Sequence, residues 1–199
     1  MKEFRSLTAR AAVLDRLDVD TDQIVPKQFL KRIERTGYGQ FLFHDWRQDP
    51  GFELNQPECE GARILLTGPN FGCGSSREHA AWALQDYGFE VIVAPSFGDI
   101  FSSNAVQIGL VPVTLPAPEV KALMAAVAGG GELTVDLERK VVEDPAGRVV
   151  SFEMDPFVRH CLLRGLDAIA RTLEHESDIA AFEARAPSPV DTTALRLGA

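Results

Sequence analysis

The stretch NFGCGSSREH, residues 70–79, decides the fold because it joins an apolar run to an amphipathic one. Residues 63–67, RILLT, form a short apolar run of the kind that a buried strand shows. Residues 77–87 then place apolar side chains at i, i+3, i+4 and i+7, with Tyr87 on the inward side, and Gly88 follows as a stop signal. The sequence therefore predicts a strand, a glycine-rich turn and a helix in succession.

The same alternation continues toward the C-terminus. Strands are predicted at residues 89–94 and 110–115, and each is followed by a predicted helix, at residues 97–108 and 119–127. In the helix at 97–108, counted from its first residue, Ile100 and Phe101 fall on the predicted inward face. Together with a strand at residues 8–14, this alternation predicts an α/β fold with a parallel sheet and right-handed crossovers.

The C-terminal third follows a different pattern. Apolar and polar residues alternate over residues 129–152, and the DPAG turn at 144–147 divides this segment into two predicted strands of a β-ribbon. Asp155 followed by Pro156 is a favourable helix start, with an N-cap carboxylate before a proline at the first helical position. Helices are predicted over residues 156–185.

Length and composition exclude several classes of function. A chain of 199 residues with 45% hydrophobic and 25% charged residues is typical of a globular protein. The net charge of −9 argues against nucleic-acid binding, and no apolar run reaches the roughly 18 residues of a membrane helix. The N-terminus lacks the apolar segment of a secretory signal, so we expect a cytoplasmic protein without a membrane partner.

The cysteines and the domain boundaries narrow the choice further. Cys59, Cys73 and Cys161 are scattered along the chain and show no CxxC spacing. They predict neither a disulfide framework nor a metal or iron–sulfur site within this chain. Residues 1–185 are predicted to form the domain, and residues 186–199, which lack periodicity, a disordered tail.

The turn at residues 70–79 carries the chemistry. Its glycines allow the backbone to approach a ligand closely, and the N–H groups at the start of the following helix favour an anion. Arg77 adds a planar guanidinium suited to a carboxylate, and Ser75 and Ser76 offer hydroxyl groups in the same place. The sequence therefore predicts a binding site for a carboxylate or a phosphate.

Other interpretations of these residues stay open. Ser75 and Glu78 have the S-x-x-E spacing of a capping box, which would make Ser75 a structural residue that stabilises the helix. Cys73 and His79 are conceivable as a nucleophile and its base, and His79 is equally conceivable as a packing residue of the helix. The run Asp20–Asp22 fits a turn and helix cap as well as it fits a site.

Residues 71–83, FGCGSSREHAAWA, resemble the signature loop of the aconitase-superfamily swivel domain, in particular that of the isopropylmalate dehydratase small subunits. The resemblance continues, in the family's order, in DTDQIVPKQFL (20–30), FHDWR (43–47), PSFGDIF (95–101), HCLL (160–163) and GLD (165–167). Several motifs at once are far more specific than a single loop.

The resemblance implies a swivelling β/β/α domain of the aconitase type, an α/β fold whose mainly parallel sheet is flanked by helices, with a β-ribbon and C-terminal helices. It also implies that the chain binds no cofactor or metal itself and pairs, as a heterodimer or larger assembly, with a large subunit that carries a 4Fe–4S cluster. The implied activity is that of a hydro-lyase in leucine biosynthesis, active only with that large subunit. It interconverts 2-isopropylmalate and 3-isopropylmalate through isopropylmaleate by loss and return of water.

Carried over residue by residue, the resemblance implies that Ser75 is the catalytic base, acting as an alkoxide that removes a carbon-bound proton. Ser76 and Arg77 would hold a carboxylate of the small dicarboxylate substrate. Further substrate-binding residues are implied near the same cleft: Thr21, Asp22 and Lys27.

Two other functions stay open. A paralogous hydro-lyase subunit for citramalate and citraconate, or for homoaconitate, would share the same motifs. A non-catalytic anion-binding module with the swivel fold would need only the backbone cradle. The joint presence of Ser75, Ser76 and Arg77 favours an enzyme over such a module, but it does not separate the alternative substrates.

Overall fold

The computed structural model describes residues 1–31 and 34–186. By its internal contacts the chain divides into two compact units, Met1–Leu166 and a second unit that begins at Asp167. The tail predicted at residues 186–199 lies outside the described residues from position 187 onward. Within the described ranges, no helix is both long and apolar enough to cross a membrane.

A seven-stranded sheet runs through the first unit in the order β4-β3-β2-β1-β5-β6-β7. Its strands are β1 (Ser6–Leu14), β2 (Ile64–Thr67), β3 (Val91–Ala94), β4 (Val111–Thr114), β5 (Glu132–Asp136), β6 (Val141–Glu143) and β7 (Val149–Ser151). The strands β1 to β4 are parallel neighbours, whereas β5 pairs antiparallel with β1 and continues into β6 and β7. The predicted α/β fold with a parallel sheet and a β-ribbon is confirmed.

The ribbon contains three strands where the sequence pattern predicted two. The additional turn follows Asp136, whose carboxylate accepts a hydrogen bond from the Arg139 N–H at 2.8 Å, and Lys140 adopts a left-handed φ of 55°. A turn closed by an aspartate side chain needs neither glycine nor proline, so the pattern gave little sign of it. The turn predicted at residues 144–147 also forms, between β6 and β7.

The α-helices of the described chain alternate with the parallel strands and then fill its C-terminal part. They are α1 (Thr21–Ile24), α2 (Glu78–Tyr87), α3 (Asp99–Ile108), α4 (Ala117–Ala126), α5 (Pro156–Arg164), α6 (Ala168–Leu173) and α7 (Glu176–Glu183). Helices α6 and α7 belong to the second unit. Gly88 and Gly109 end α2 and α3, as predicted, and both have a positive φ.

Apolar side chains are buried on both faces of the sheet. Alternate residues of β2 and β3 pack against α2 and α3 on one face, and against α4, α5 and the ribbon on the other. Strands covered on both faces are apolar at every position, and this is why RILLT and FEVIVA lack alternation. The core therefore buries β2 and β3 along their whole length, and the loops that follow these strands remain accessible.

Two residues assigned to the inward face are exposed instead. Tyr87 is 37% exposed and Ile100 is 52% exposed. The helical periodicity that placed Ile100 on the inward face was counted from Phe97. Helix α3 begins only at Asp99, so Phe97 lies outside the helix and the face was assigned from the wrong starting residue. Tyr87 is the last residue of α2, and the guanidinium of Arg47 lies 4.5 Å from the centre of its ring. Helical periodicity thus predicted the middle of each helix better than its ends.

Candidate active site

Three loops meet at the carboxyl edge of the parallel strands, where ligands bind in many α/β proteins. They are the first loop (residues 15–20, after β1), the serine loop (68–77, after β2) and the third loop (95–98, after β3). The Gly72 N–H donates to the Val19 carbonyl at 2.7 Å, which joins the first loop to the serine loop. The Gly98 N–H donates to the Phe71 carbonyl at 2.9 Å, which joins the third loop to the serine loop.

The glycines of this edge are required by close packing. A Cβ atom added at Gly72, whose φ is +74°, would lie 2.2 Å from the ring of Phe101. A Cβ atom added at Gly98 would lie 2.6 Å from the carbonyl oxygen of Gly72. Both distances are far below van der Waals contact, so these glycines let the third loop and α3 press directly on the serine loop.

The serine loop does not cap the helix that follows it. Helix α2 begins at Glu78 with Arg77 as its N-cap residue, and no side chain accepts a hydrogen bond there. The S-x-x-E capping box anticipated at Ser75 therefore does not form, because the helix starts at its fourth residue rather than its second. Ser75 and Ser76 are both exposed.

The capping box of this edge lies in the first loop and α1. The Asp20 carboxylate accepts from the Gln23 N–H at 2.8 Å, and the Gln23 side chain accepts in return from the Asp20 N–H at 2.9 Å. The interpretation of Asp20 as a helix cap is thus correct. The residues that follow it, Thr21 and Asp22, turn toward the serine loop instead.

Thr21 contacts Ser75 directly. Its side chain is only 2% exposed. The Thr21 Oγ1 donates to the Ser75 carbonyl oxygen at 3.0 Å and lies 3.4 Å from the Ser75 Oγ. The Thr21 N–H also donates to the Cys73 carbonyl at 2.9 Å. The start of α1 is therefore bonded to the serine loop through both its backbone and its side chain.

Asp22 and Arg77 form an ion pair between the Asp22 Oδ1 and the Arg77 Nη1. The Arg77 side chain is 18% exposed and the Asp22 side chain 52%. The hydrogen bond from Arg77 lowers the pKa of Asp22 below its usual value of 3.8, and the nearby positive charge of Lys27 lowers it further. Lys27 itself is exposed. The six residues that the sequence singled out thus lie on the last part of the serine loop, at Ser75–Arg77, and on the segment from Thr21 to Lys27 around α1.

Cys73 and His79 do not behave as a nucleophile and its base. Burial raises the pKa of the Cys73 thiol, and the negative charges of Asp20 and Asp18 raise it further, so the reactive thiolate is disfavoured. The His79 ring packs 4.6 Å from Trp82 between ring centres, and burial lowers its pKa. His79 is therefore a packing residue that stays neutral near pH 7.

Two features of the site were missed from the sequence. The ion pair joins residues separated by 55 positions, and nothing in the pattern signals it. Two exposed apolar side chains on neighbouring segments were also missed: Leu17 in the first loop is 67% exposed, and Ile100 in α3, which was expected to be buried, is 52% exposed. Leu17 lies within the polar run DRLD, and an apolar residue in a polar loop was the one sign in the sequence that this side chain would be exposed.

The fold and the site together define an α/β domain that carries two exposed serines and an arginine on one glycine-rich loop between a parallel strand and a helix. Comparison with known families agrees with this class. The aconitase C-terminal domain family matches residues 1–118, and the LeuD_N family matches residues 121–156.

Individual relatives are 3-isopropylmalate dehydratase small subunits. The protein from Acidobacterium capsulatum is 56% identical over 185 residues, which cover 92% of this chain and 90% of the relative. The protein from Bacillus subtilis is 52% identical over 195 residues, which cover 94% of this chain and 98% of the relative. The crystal structure of 3-isopropylmalate dehydratase (leuD) from Methanocaldococcus jannaschii shares the fold, with a TM-score of 0.66 at 24% identity over 89% of this chain and 99% of that one.

The chain belongs to the aconitase C-terminal domain family and, within it, to the 3-isopropylmalate dehydratase small subunits. The resemblance inferred from the serine loop and its companion motifs is confirmed, and so is the swivel-domain fold that it implied.

Proposed function

We propose that this chain is the small subunit of a 3-isopropylmalate dehydratase, a hydro-lyase of leucine biosynthesis that interconverts 2-isopropylmalate and 3-isopropylmalate through isopropylmaleate. Relatives with that name are 52% to 56% identical over almost the whole chain. The assignment of residues rests on the environment of Ser75. This serine is exposed and does not cap α2, and it lies on the same loop as Arg77.

Ser75 is the catalytic base of the proposed reaction. After its own proton has passed to water, its oxygen takes a proton from a substrate carbon, so that an O–H bond forms as the C–H bond breaks. The electron pair of the C–H bond becomes the second bond of the C=C group in isopropylmaleate. The hydroxyl group leaves the neighbouring carbon with the electron pair of the C–O bond and takes up a proton to depart as water, which balances the proton that Ser75 first gave to water. Rehydration runs the same steps in reverse, and Ser75 then returns its proton to carbon.

The surroundings of Ser75 favour its ionised form. A serine hydroxyl is far too weak an acid to ionise in neutral water, so the protein must stabilise the alkoxide. The guanidinium of Arg77 supplies a positive charge on the same loop. The first N–H groups of α2 have no partner within the helix, and no side chain caps them, so the positive end of the helix dipole also faces this region.

Arg77 and Ser76 are suited to hold one carboxylate of the substrate. The Arg77 Nη1 is engaged by Asp22, which orients the guanidinium and leaves its other N–H groups for a carboxylate. Ser76 is exposed beside it and offers a further hydroxyl donor. Lys27 lies close enough to lower the pKa of Asp22, and we assign it to the second carboxylate.

The site needs a second protein surface. Ser75 and Ser76 lie open to water, and a base of this kind works only where water is excluded. Leu17, in the first loop, and Ile100, in the first turn of α3, are exposed apolar side chains on the two segments that bond to or pack on the serine loop. We propose that the large subunit covers this edge, packs on these two residues and closes the site.

The iron–sulfur cluster of the family belongs to that partner in our proposal. Among the described residues there is no group of three or more His, Cys, Asp or Glu side chains that could hold a metal ion. Cys59 and Cys161 are buried, which also makes them unsuitable as ligands of an accessible cluster. The donor groups of residues 1–31 and 34–186 therefore do not fit a cluster.

Reconstitution tests the proposal. The purified chain is mixed anaerobically with its cluster-bearing large subunit, and the ultraviolet absorbance of the unsaturated diacid is followed with 2-isopropylmalate as substrate. We expect activity from the mixture and none from either subunit alone. Citramalate and homocitrate serve as comparison substrates, because a preference for one of them would identify a paralogous enzyme. Binding of diacids without turnover of any of them would instead indicate an anion-binding module.

A further inference from the structure

Thr21 is an unusual residue of the site because it is polar and almost completely buried. Among the described residues, the polar or charged side chains that are buried are those of Thr21 and Thr67, at 2% and 0% exposure. The Thr67 hydroxyl has no hydrogen-bond partner, whereas the Thr21 hydroxyl lies near both the carbonyl oxygen and the Oγ of Ser75. The two threonines thus offer a natural comparison between a hydroxyl with a partner at the site and one without.

The position of the Thr21 hydroxyl is fixed by its surroundings. The capping box of Asp20 and Gln23 holds the start of α1, and the Thr21 N–H bonds to the Cys73 carbonyl at 2.9 Å. A β-branched side chain has few rotamers available, so a fixed backbone also fixes the hydroxyl. The hydroxyl is therefore held against Ser75 before any substrate binds.

The Thr21 hydroxyl has one proton and two possible acceptors. In the resting chain it bonds to the Ser75 carbonyl oxygen at 3.0 Å, while the distance of 3.4 Å to the Ser75 Oγ is too long for a strong bond. An ionised Oγ is a much stronger acceptor than a carbonyl, and such bonds shorten to about 2.5–2.7 Å. Closing the difference of about 0.8 Å needs only a rotation of the Ser75 side chain, whose residue is exposed.

We infer that Thr21 is a positioning residue whose hydroxyl donates to the Ser75 Oγ when Ser75 is ionised, and so stabilises the base. The assignment rests on the proposed function of Ser75 and goes one step beyond it. Thr21 is too deeply buried to hold the substrate itself, and it acts on the substrate only through Ser75. A donor in so dry a position is stronger than one in water.

The test is Thr21→Val in the complex reconstituted with the large subunit. Valine keeps the branched shape and removes only the hydroxyl. We expect kcat to fall about ten- to a hundredfold, the usual effect of losing one hydrogen bond to a charged group, with KM unchanged. The rising limb of kcat against pH should also move to higher pH, because an unassisted serine ionises less readily.

Two further variants serve as controls. Thr21→Ser keeps the hydroxyl and should recover most of the turnover and the pH profile. Thr67→Val makes the same chemical change at the other buried threonine, whose hydroxyl has no partner, and should leave kcat, KM and the pH profile as they are. Thermal melting of each variant chain identifies any loss that comes from unfolding.

Each outcome supports or overturns the proposed role of Thr21. A Thr21→Val enzyme with normal kcat and an unshifted pH profile overturns the inference while the proposed function stands. A rise in KM at normal kcat would make Thr21 a substrate ligand and also overturns it. A wild-type complex without activity on any of the diacids overturns the proposed function, and the inference falls with it.

Discussion

Two helix starts in this protein have nearby side chains of the kind that cap helices, but only one of them uses such a side chain as a cap. At the start of α5, the Asp155 carboxylate accepts hydrogen bonds from two N–H groups of the first turn, and Pro156 occupies the first helical position. At the start of α2, Ser75 and Ser76 precede an N-cap residue, Arg77, that has no side-chain cap. The first start uses its polar side chain to stabilise a helix, whereas the second leaves Ser75 and Ser76 exposed and α2 without a side-chain cap.

The difference shows what a functional helix start gives up. A good N-cap stabilises a helix by about 1 kcal/mol relative to alanine. Helix α2 lacks that contribution, because no side chain at its N-cap accepts a hydrogen bond from its first N–H groups. Because Ser75 does not cap, its replacement separates catalysis from stability more cleanly than it would at a capped helix.

Ser75→Ala should have the largest effect on activity. Loss of the base should lower turnover of the reconstituted complex by about 10²–10⁴-fold. The stability of the chain should change by no more than about 0.5 kcal/mol, as for other exposed positions without a structural role. Turnover and urea unfolding of the same preparation measure the two quantities. Normal turnover combined with a clear loss of stability would restore the interpretation of Ser75 as a cap.

Arg77→Lys should come next. A lysine keeps the charge but cannot hold Asp22 with one arm and a substrate carboxylate with the others. We expect kcat/KM to fall by the equivalent of about 1.5–3 kcal/mol, mainly through KM. Arg63→Lys is the matched control. Arg63 also forms an ion pair, with Glu90, but it directly precedes β2 and so lies at the end of that strand opposite to the serine loop. An equal loss in both variants would show that the effect is structural.

The sequence predicted the parts of this site that depend on neighbouring residues. The strand, turn and helix around residues 70–79 are local features, and periodicity and glycine placement were sufficient to find them. The start of α2 was predicted to within one residue, but the sequence left open whether Ser75 caps it, because S-x-x-E at Ser75 and D-x-x-Q at Asp20 satisfy the same capping rule and only the second is used.

Contacts between distant segments could not be predicted in this way. Thr21 and Ser75 are 54 positions apart, and Asp22 and Arg77 are 55 apart. They meet because parallel β1 and β2 end at the same edge of the sheet, which a pattern along one segment does not report. The family motifs identified the same residues, but they did not say which ones contact each other.

Asp155→Ala should affect stability and not activity. Loss of the carboxylate leaves two N–H groups of α5 without their acceptor, which should cost about 1 kcal/mol. In a chain of this size that corresponds to a fall in melting temperature of about 2–4 °C. Turnover of the reconstituted complex should be unchanged. A fall in turnover at unchanged stability would contradict the division between a structural and a functional helix start.

Asp22→Asn should give the smallest effect, and that effect should depend on pH. Arg77 lowers the pKa of Asp22 in the folded chain, whereas in the unfolded chain the pKa returns to about 3.8. A lowered pKa means that the ion pair stabilises the chain above the unfolded value, and that this contribution is lost as the pH falls through the folded value. Asp22 is 52% exposed, so the contribution should be only about 0.2–1 kcal/mol.

The measurement for Asp22 is the difference in unfolding free energy between the wild-type chain and Asp22→Asn in urea across a series of pH values. The wild type should be more stable by a constant amount above about pH 5, since the carboxylate is then ionised in both states. The difference should shrink as the pH falls below 3.8 and then vanish. A difference that grows toward acid pH would mean that the protonated carboxyl is the stabilising form. In that case Asp22 would not hold the guanidinium of Arg77 by its charge, and the orientation proposed for Arg77 would lose its physical basis.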